Sequence, residues 1–430
     1  MMEGLGFRPY DTYKDSRVDW IGSIPSTWDV QRAKWLFKRM DRPVRPEDDI
    51  VTCFRDGEVT LRNNRRADGF TTALKEIGYQ GIRKGDLVIH AMDAFAGAIG
   101  VSDSDGKATP VYSACVPRQP NTVDPTFYAY YMRHLALSGF LVSLAKGIRE
   151  RSTDFRFNDF AELEIPFPSL PEQRAIVAFL DEKCAKADGA VKIKEDQIAL
   201  LRERRQIIIQ NAVTRGLNPA APMKDSGIDW IGEIPAHWEV RNAKWLFSHS
   251  KERARKGEPQ LAATQKYGVI PQADFMDLEG RRVVQVFLDF DILKHVEAGD
   301  FVMSMRSFQG GIEYSEYTGC VSSAYVALKP GGKVYARYFK YLLKSTRYIE
   351  ALQSTSNLVR DGQALRFDNF SMVDLPVVPL DEQRQIADYL DSYGEKTESA
   401  IAIKERQIAA LKEYKISLIN AAVTGKIKVI

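Results

Sequence analysis

The chain has 430 residues and a mass of 48.6 kDa, more than one hydrophobic core usually serves, which predicts two or three domains. Hydrophobic residues form 44% of the chain and charged residues 27%, so the composition excludes an intrinsically disordered protein. The 60 Lys and Arg residues exceed the 57 Asp and Glu residues by only three. That balance excludes a histone-like polycation but is compatible with a nucleic-acid binder whose basic groups gather on one face.

Cysteine spacing and hydropathy indicate the compartment. The four cysteines form no Cys-x-x-Cys pair, so we expect neither a disulfide framework nor a structural zinc site. The first ten residues lack the apolar stretch of a signal peptide, and no uncharged apolar run approaches the 18 residues of a membrane span. We therefore expect a soluble, cytoplasmic protein that does not enter a membrane.

A repeat with an offset of 210 residues organises the chain. Residues 14–37 read KDSRVDWIGSIPSTWDVQRAKWLF and residues 224–247 read KDSGIDWIGEIPAHWEVRNAKWLF, with 16 identities in 24 positions. At the same offset residues 156–214 match residues 366–424, with 25 identities in 59 positions. Such a long period excludes a solenoid and indicates a tandem duplication.

The segments between the matched blocks, 38–155 and 248–365, have equal length but almost no shared sequence; we call them body 1 and body 2. One weak similarity between the bodies remains, at an offset of 214, where Gly85-Asp86-Leu87-Val88 with Gly97 resembles Gly299-Asp300-Phe301-Val302 with Gly311. Simple drift after an old duplication is one explanation. Drift, however, would change the matched blocks as much as the bodies between them. The pattern therefore favours two domains that recognise different targets and are built on the same scaffold.

In chain order, each body is predicted to be α+β. Short β-branched runs bounded by Gly, Asp and Pro predict strands at 85–89, 111–116, 283–288 and 301–305. Residues 126–144 and 335–352 carry Tyr, Leu and Ala at helical spacing. The irregular alternation argues against a doubly wound parallel sheet and favours a mixed or mainly antiparallel sheet with packed helices.

A long helix is predicted after each body, starting at the Ser169-Leu170-Pro171-Glu172 signature and at Asp381-Glu382-Gln383. Apolar residues at heptad a and d positions predict helix pairing, with charged Arg205 and Lys415 interrupting the series at equivalent points. The predicted pairing residues are Val191, Ile198, Leu201 and Ile208 in the first helix and Ile401, Ile408, Leu411 and Leu418 in the second. An antiparallel coiled coil would give a pseudo-twofold molecule; in the alternative, each helix packs against its own body. Gly189 and Gly394 predict a break or kink early in each helix.

Motifs of catalysis are missing from the sequence. There is no phosphate-binding Gly-x-x-x-x-Gly-Lys-Ser/Thr, no Asn-Pro-Pro-aromatic signature of an amino-methyltransferase, and no metal-ligand spacing among the five histidines. We therefore predict no catalytic, cofactor-binding or metal-binding residue in this chain.

Basic and amide side chains suited to DNA lie in the divergent bodies, at comparable places in both halves. Arg, Asn and Gln can bind base edges in a bidentate manner, while Lys and Ser suit phosphates. The candidates are Arg62, Asn63, Asn64, Arg65, Arg66, Lys146, Arg149, Arg151 and Ser152 in body 1, and Arg306, Ser307, Gln309, Arg360 and Gln363 in body 2.

The repeated motifs Lys-Asp-Ser-x-x-Asp-Trp-Ile-Gly-x-Ile-Pro-x-x-Trp, Leu-x-Glu-Gln-Arg, Ile-Lys-Glu-x-Gln-Ile-Ala-x-Leu and Ala-Val-Thr resemble the specificity subunit of type I restriction–modification enzymes. The resemblance spans nearly the whole chain. It implies two tandem α/β target-recognition domains with mixed sheets, 1–170 and 217–380. A central helical spacer, 171–216, and a C-terminal helical region, 381–430, would separate them.

The same resemblance implies the function and the partners. Each domain would read one half of an asymmetric bipartite site on double-stranded DNA, and the helices would dock two methyltransferase subunits, with restriction and translocase subunits added. S-adenosylmethionine, ATP and Mg²⁺ would belong to those partners. Residues 190–214 as one helix would span about 37 Å, close to the roughly 34–36 Å of one duplex turn, so the helices could set the half-site spacing. The alternatives are a self-sufficient methyltransferase or nuclease with unrecognised motifs, and a protein-binding scaffold without DNA contact.

Overall fold

The computed structural model describes residues 7–65, 76–144, 154–280, 292–304, 307–355 and 366–429. The chain folds into two compact units. Unit 1 comprises Met1–Lys194 and Arg406–Ile430, and unit 2 comprises Glu195–Glu405. Each unit therefore contains one body, the matched segments that adjoin it, and parts of both long helices.

Unit 1 is built around a four-stranded antiparallel sheet in the order β4-β11-β8-β9. Two-stranded antiparallel ladders join β1 to β2, β3 to β12, β5 to β6 and β7 to β10. Its strands are β1 Tyr13–Asp15, β2 Ser23–Pro25, β3 Asp29–Arg32, β4 Phe37–Met40, β5 Val51–Cys53, β6 Val59–Leu61, β7 Gln80–Ile82, β8 Leu87–His90, β9 Ile99–Val101, β10 Gly106–Ala108, β11 Tyr112–Pro117 and β12 Glu164–Phe167. Its helices are α1 Ala33–Leu36, α2 Pro125–Leu137, α3 Phe140–Leu144 and α4 Phe157–Glu162, followed by the long helix α5 Leu170–Arg215.

Unit 2 repeats this plan, with a four-stranded antiparallel sheet in the order β16-β23-β20-β21. Two-stranded antiparallel ladders join β13 to β14, β15 to β24, β17 to β18 and β19 to β22. Its strands are β13 Met223–Asp225, β14 Glu233–Pro235, β15 Glu239–Asn242, β16 Phe247–Ser250, β17 Leu261–Thr264, β18 Gly268–Pro271, β19 Lys294–Val296, β20 Phe301–Met303, β21 Glu313–Tyr314, β22 Gly319–Val321, β23 Val326–Pro330 and β24 Asp374–Val377. Its helices are α6 Gln272–Glu279, α7 Ser307–Gly310, α8 Ala336–Leu342, α9 Thr346–Ser354 and α10 Phe367–Ser371, and α11 Leu380–Val423 is the second long helix.

The ladders β3–β12 and β15–β24 show why the blocks match while the bodies differ. Each ladder pairs a strand from the first block of a half with a strand from its second block, so the matched blocks form one frame that closes around the body. Trp28 and Trp238 are fully buried in the two cores beside these ladders. The matched blocks therefore supply an equivalent part of each core, against which body residues such as Leu87 and Phe301 pack.

A buried glutamine ties each long helix to its body. Gln173, near the start of α5, accepts a hydrogen bond from the Asp124 N–H through Oε1 at 2.7 Å and donates through Nε2 to the Pro168 carbonyl at 2.8 Å. Gln383 in α11 accepts from the Tyr335 N–H at 2.7 Å and donates to a carbonyl of the preceding segment. Asp124 and Tyr335 are the residues that cap α2 and α8, so each glutamine joins two helix starts.

The two long helices run antiparallel and pack together within each unit. In unit 1 Ile176 and Leu180 of α5 share a core with Leu418 and Ala422 of α11. In unit 2 the opposite ends meet, residues 209–213 of α5 with residues 386–390 of α11. The predicted α+β fold with paired long helices is confirmed, and the helices contact both each other and the bodies.

The predicted seam residues are all at least half-buried. Ile198, Ile401 and Leu418 are buried, and the other members, Val191, Leu201, Ile208, Ile408 and Leu411, are half-buried. The predicted break was wrong, because α5 continues through Gly189 and α11 through Gly394. A glycine costs a helix about 1 kcal/mol, which the packing of a long helix readily offsets.

Most of the strands and helices predicted for the bodies occur in the structure. Strands β8, β11 and β20 occur where predicted, and the two helical segments each divide into two shorter helices, α2 with α3 and α8 with α9. The predicted strand at 283–288 and position 305 lie outside the described residues. The ladders of both units are antiparallel, and parallel pairing occurs as isolated bridges such as Ile50 with Lys107.

Candidate nucleic-acid interface

A cleft of about 960 Å³ opens in body 1 at the ends of β5, β8 and β11, and we call it cleft 1. Three arginines, Arg55, Arg62 and Arg65, line it together with His90 and Tyr112. Strand β5 supplies the floor through Val51 and Thr52, while Arg62 begins a single helical turn, Arg62–Asn64, directly after β6. The cleft thus combines guanidinium donors with aromatic surface in one concave site.

Acidic neighbours position the arginines of cleft 1. The Arg65 guanidinium lies 2.5 Å from Asp56 Oδ2 and 3.1 Å from Glu58 Oε2, and it stacks over the Phe54 ring at 4.3 Å. The hydrogen bond to Asp56 raises the pKa of Arg65. The Arg55 guanidinium lies 2.9 Å from Asp93 Oδ1. These pairs hold the guanidiniums in fixed orientations, which favours geometry-dependent recognition over simple attraction.

His90 adds a neutral donor to cleft 1. Burial lowers the pKa of His90, so the ring is neutral at physiological pH. Its Nδ1 accepts a hydrogen bond from the Asp93 N–H at 2.9 Å, which leaves the ring proton on Nε2. The ring meets Tyr112 edge to face at 4.6 Å, and burial raises the pKa of Tyr112 to about 12. Both side chains are therefore uncharged hydrogen-bonding groups.

A second cleft, of about 410 Å³, lies in body 2 and we call it cleft 2. It is formed by β17, the start of α6, and the segment before β23, and its polar lining includes Gln272, Ser322 and Tyr325. Its place in the fold matches that of cleft 1. Strand β17 aligns with β5 at the offset of 210. In the central sheets, Leu87 of β8 pairs with Cys115 of β11, and the equivalent Phe301 of β20 pairs with Leu328 of β23.

The register of the two sheets makes the linings of the clefts comparable position by position. Tyr112 corresponds to Tyr325, Thr109 to Ser322 and Arg62 to Gln272. The first position is tyrosine in both clefts, and the second has a hydroxyl side chain in both. At the third position the guanidinium of body 1 is replaced by an amide in body 2. Arginine suits the guanine edge and glutamine the adenine edge, so the same cleft carries two different donor and acceptor patterns.

The structure places the predicted DNA-contact residues of body 1 as follows. Arg62 and Arg65 line cleft 1, Asn63 is exposed on the turn between them, and Asn64 donates to Thr60 Oγ1 at 2.8 Å. The remaining candidates of this body, Arg66, Lys146, Arg149, Arg151 and Ser152, lie outside the described residues.

In body 2, Gln309 is exposed on the short helix α7. Ser307 is buried, and its hydroxyl accepts a hydrogen bond from the Ser304 N–H at 2.9 Å, so this side chain shapes its own turn. Arg306, Arg360 and Gln363 lie outside the described residues.

Sequence reasoning missed Arg55, Tyr112, Gln272 and Ser322. Two alignments contained a usable signal. The offset of 210 matches Gln272 with Arg62, and aligning β8 with β20 at the offset of 214 brings their partner strands into register one residue away, at 213, which matches Tyr112 with Tyr325 and Thr109 with Ser322. In the part of the chain that the structure describes, no group of His, Cys, Asp or Glu side chains is arranged to hold a metal ion. None of the described helices has the length and apolar character required to cross a membrane.

Comparison with known proteins agrees with the sequence motifs and the fold. Residues 235–418 match the family model of the type I restriction modification DNA specificity domain. Over 451 aligned residues the chain is 22% identical to a protein of Methanocaldococcus jannaschii described as the specificity subunit of the MjaX type I restriction enzyme, covering 95% of this chain and 96% of the relative. The chain is thus similar to the specificity subunits of type I restriction enzymes.

Further proteins show the same similarity. The MjaVIII specificity subunit of the same organism is 24% identical over 323 residues, which cover 72% of each chain. Two solved structures share the fold at 17% identity. A chain from a type I restriction–modification system has a TM-score of 0.67, with 93% of this chain and 98% of that chain covered. The specificity subunit of Thermoanaerobacter tengcongensis has a TM-score of 0.52, with 94% and 98% covered.

Proposed function

We propose that this chain is the specificity subunit, the non-catalytic DNA-reading component, of a type I restriction–modification complex. Each body reads one half of an asymmetric bipartite site, with 1–170 and 217–380 acting as the recognition domains. The observation that carries the proposal is the pair of matched clefts, equivalent in the fold but lined by different side chains. Two identical recognition clefts would predict a palindromic site. Because cleft 1 has Arg62 where cleft 2 has Gln272, we expect two different half-sites.

The charge distribution supports a site-specific reader. The net charge of the whole chain is only +3, yet cleft 1 gathers three arginines. Two of them, Arg55 and Arg65, are held in place by neighbouring carboxylates. A chain that shares its grip on DNA with partner subunits needs local basic groups and not a high overall charge. Asn63, on the turn that borders cleft 1, and the exposed Gln309 of α7 would add contacts to bases or phosphates.

The helical regions, 171–216 and 381–430, are proposed to set the half-site spacing and to dock two methyltransferase subunits. Helix α5 exposes Ile193, Leu200 and Ile207, seven residues apart, in addition to the buried seam that faces α11. An exposed apolar series at heptad spacing suits a helix of a partner. Restriction and translocase subunits would join through this assembly, and S-adenosylmethionine, ATP and Mg²⁺ would bind to the partners. The complex would act on cytoplasmic DNA.

Exchange of one body tests the reading of half-sites. Residues 248–365 are replaced by the corresponding body of another specificity subunit, and the methylated motif is mapped in cells that express the complete complex. We expect one half of the motif to change and the other to remain. A change in both halves, or in neither, would contradict the proposal. As a control, the purified chain alone with S-adenosylmethionine, Mg²⁺ and DNA should neither methylate nor cut, and either activity would favour a self-sufficient enzyme.

Lengthening the helices tests the spacing. One heptad is inserted after Ala199 and one after Ala409, its equivalent in α11, so that both helices grow together. The insertion adds about 10 Å of helix at 1.5 Å per residue. We expect the gap between the methylated half-sites to lengthen while their bases stay the same. Full activity on the original gap would rule out a spacing role for the helices.

A further inference from the structure

A tryptophan in the first matched block is exposed in both halves. Trp35 is 64% exposed on α1, and Trp245 is 75% exposed on the single turn Ala243–Trp245 that takes the place of α1 in unit 2. By contrast, Trp28 and Trp238 of the same block are fully buried. The third repeated pair, Trp20 and Trp230, is half-buried and packs against the two cores. The cores therefore account for two of the three repeated tryptophans but not for Trp35 and Trp245.

The five residues Ala-Lys-Trp-Leu-Phe divide in the same way in each unit. In unit 1 Ala33, Leu36 and Phe37 are buried while Trp35 faces solvent, and in unit 2 the equivalent residues Ala243, Leu246 and Phe247 are buried. Exposing a large aromatic side chain twice gains nothing for folding, and tryptophan is among the residues that contribute most at protein interfaces. The two halves thus present the same apolar side chain although their bodies have diverged.

The surroundings of the tryptophans suit a protein partner better than DNA. In unit 1 Glu162 of α4 lies 2.8 Å from Lys34 Nζ and 3.2 Å from Arg32 Nη1, so one carboxylate faces both neighbouring cations. In unit 2 the residue equivalent to Glu162 is Met372, which follows α10 and is itself exposed. The unit 1 face therefore combines an exposed tryptophan with paired charges, and the unit 2 face combines two exposed apolar side chains, Trp245 and Met372, with the exposed Lys244.

We propose that Trp35 and Trp245 each anchor one copy of the same protein partner, the methyltransferase subunit of the complex. This inference rests on the proposed function and adds a docking point outside the long helices. The two bodies contact different bases, whereas the two methyltransferase copies are identical, so a contact kept in both halves matches the partner that is present twice. Each tryptophan fills an apolar recess of that subunit.

The experiment measures assembly of the complete complex. The full-length chain is produced with its methyltransferase subunit as wild type, W35A, W245A and the double variant, and partner stoichiometry and affinity are measured by native mass spectrometry and titration. Ile77→Ala and Leu278→Ala serve as controls, because both residues are exposed and apolar but have no apolar match in a described position of the other half. Each single variant is expected to weaken binding of one copy at least ten-fold, and the double variant both copies, while the controls bind two copies as wild type does.

Hydroxyl-radical footprinting of the wild-type chain provides a second readout that needs no variant to fold. Trp35 and Trp245 should be oxidised in the free chain and protected in the complex, before DNA is added. Unchanged assembly and unprotected tryptophans would overturn the proposal, and so would normal assembly with loss of salt-sensitive DNA binding, which would assign the face to DNA. Sequence-specific methylation by the wild-type complex is measured in parallel, so the proposed function can stand when the docking inference fails.

Discussion

The Arg205 guanidinium of α5 lies 2.5 Å from the Glu398 carboxylate of α11. The same contact recurs in unit 1, where Lys415 of α11 lies 2.6 Å from Asp188 of α5. Each residue of one pair stands 210 positions from its counterpart in the other. Arg205 and Lys415 are the two charged side chains that interrupt the apolar series, so each interruption is matched by a carboxylate on the facing helix.

Charge reversal tests whether this pair selects the helix register. Arg205→Glu places two carboxylates together and should lower the stability of unit 2, and R205E/E398R should recover part of the loss. Because both side chains are partly exposed, we expect a coupling free energy of about 0.5–1 kcal/mol, measured by a double-mutant cycle in urea. Arg202 and Glu405 lie 3.9 Å apart on a more exposed surface, and a cycle on that pair should give less. Equal couplings would remove the special role of Arg205.

The buried glutamines are expected to contribute more than the ion pairs. Gln173→Leu leaves the Asp124 N–H and the Pro168 carbonyl without their partners inside the protein. Each buried unsatisfied group costs about 1–3 kcal/mol, so with two such groups unit 1 should lose about 2–6 kcal/mol of stability in urea unfolding. Gln383→Leu should have a similar effect in unit 2. Gln385→Leu is the matched control, because that side chain is exposed, and a comparable loss there would refute the explanation.

The heptad pattern predicted which residues of the long helices are buried, because that burial follows the local spacing of apolar residues. It could not predict contacts between segments that are distant in the sequence. Ile198 and Leu418 are buried as their spacing indicated. The burial of Gln173 could not be predicted, because its partner Asp124 lies 49 positions away and their contact depends on how α2 meets α5. Likewise, the equivalence of Arg62 and Gln272 becomes informative only when the sheet register shows that both line a cleft. The expected break at Gly189 failed because helix packing outweighs the propensity of one residue.

Two matched glycines should be intolerant of a side chain. Gly97 and Gly311 have positive φ angles, and an added Cβ would lie 2.7 Å from the Arg55 carbonyl oxygen and 2.4 Å from the Leu343 carbonyl oxygen, respectively. Ala should cost about 1–3 kcal/mol for the backbone conformation and more for the contact.

Gly85 and Gly299 separate the cost of the backbone conformation from the cost of the close contact. They also have positive φ, but an added Cβ would meet no atom within 4 Å. Gly85→Ala should therefore lose only the conformational part, and Gly97→Ala should be less stable than Gly85→Ala in thermal or urea unfolding. If the two variants were equally stable, the close contact with Arg55 would play no part.

Glu313 and Lys344 predict a pH dependence of unit 2. The Glu313 carboxylate is buried and lies 2.6 Å from Lys344 Nζ, and burial raises the pKa of Glu313 although the lysine opposes the shift. A carboxyl whose pKa is raised on folding binds its proton more readily in the folded state, so its contribution to stability falls as pH rises through the raised pKa.

Removing the lysine should enlarge this effect. We expect Lys344→Gln to lower the stability of unit 2 at pH 8 by about 2–4 kcal/mol, with a smaller loss at pH 5, where Glu313 can be protonated. Urea unfolding at the two pH values measures the difference. The double variant E313Q/K344Q contains no carboxylate at this position and should lose the extra pH dependence. A loss of equal size at both pH values would contradict the assignment to Glu313.

Exchange of the side chains at the matched position of the two clefts provides the most direct test of reading. Arg62→Gln gives cleft 1 the amide found in cleft 2, and Gln272→Arg does the reverse. A bidentate contact discriminates against a wrong base by about 1–3 kcal/mol, so each variant should relax or change one base position in one half of the methylated motif. The other half should stay unchanged, because it is read by the other body.

Asn63→Ala, on the turn beside Arg62, should weaken binding without changing the preferred bases if that side chain contacts phosphate. Mapping of the methylated motif with the complete complex measures all three variants, and a motif that remains identical in R62Q and Q272R would exclude these two residues from base reading.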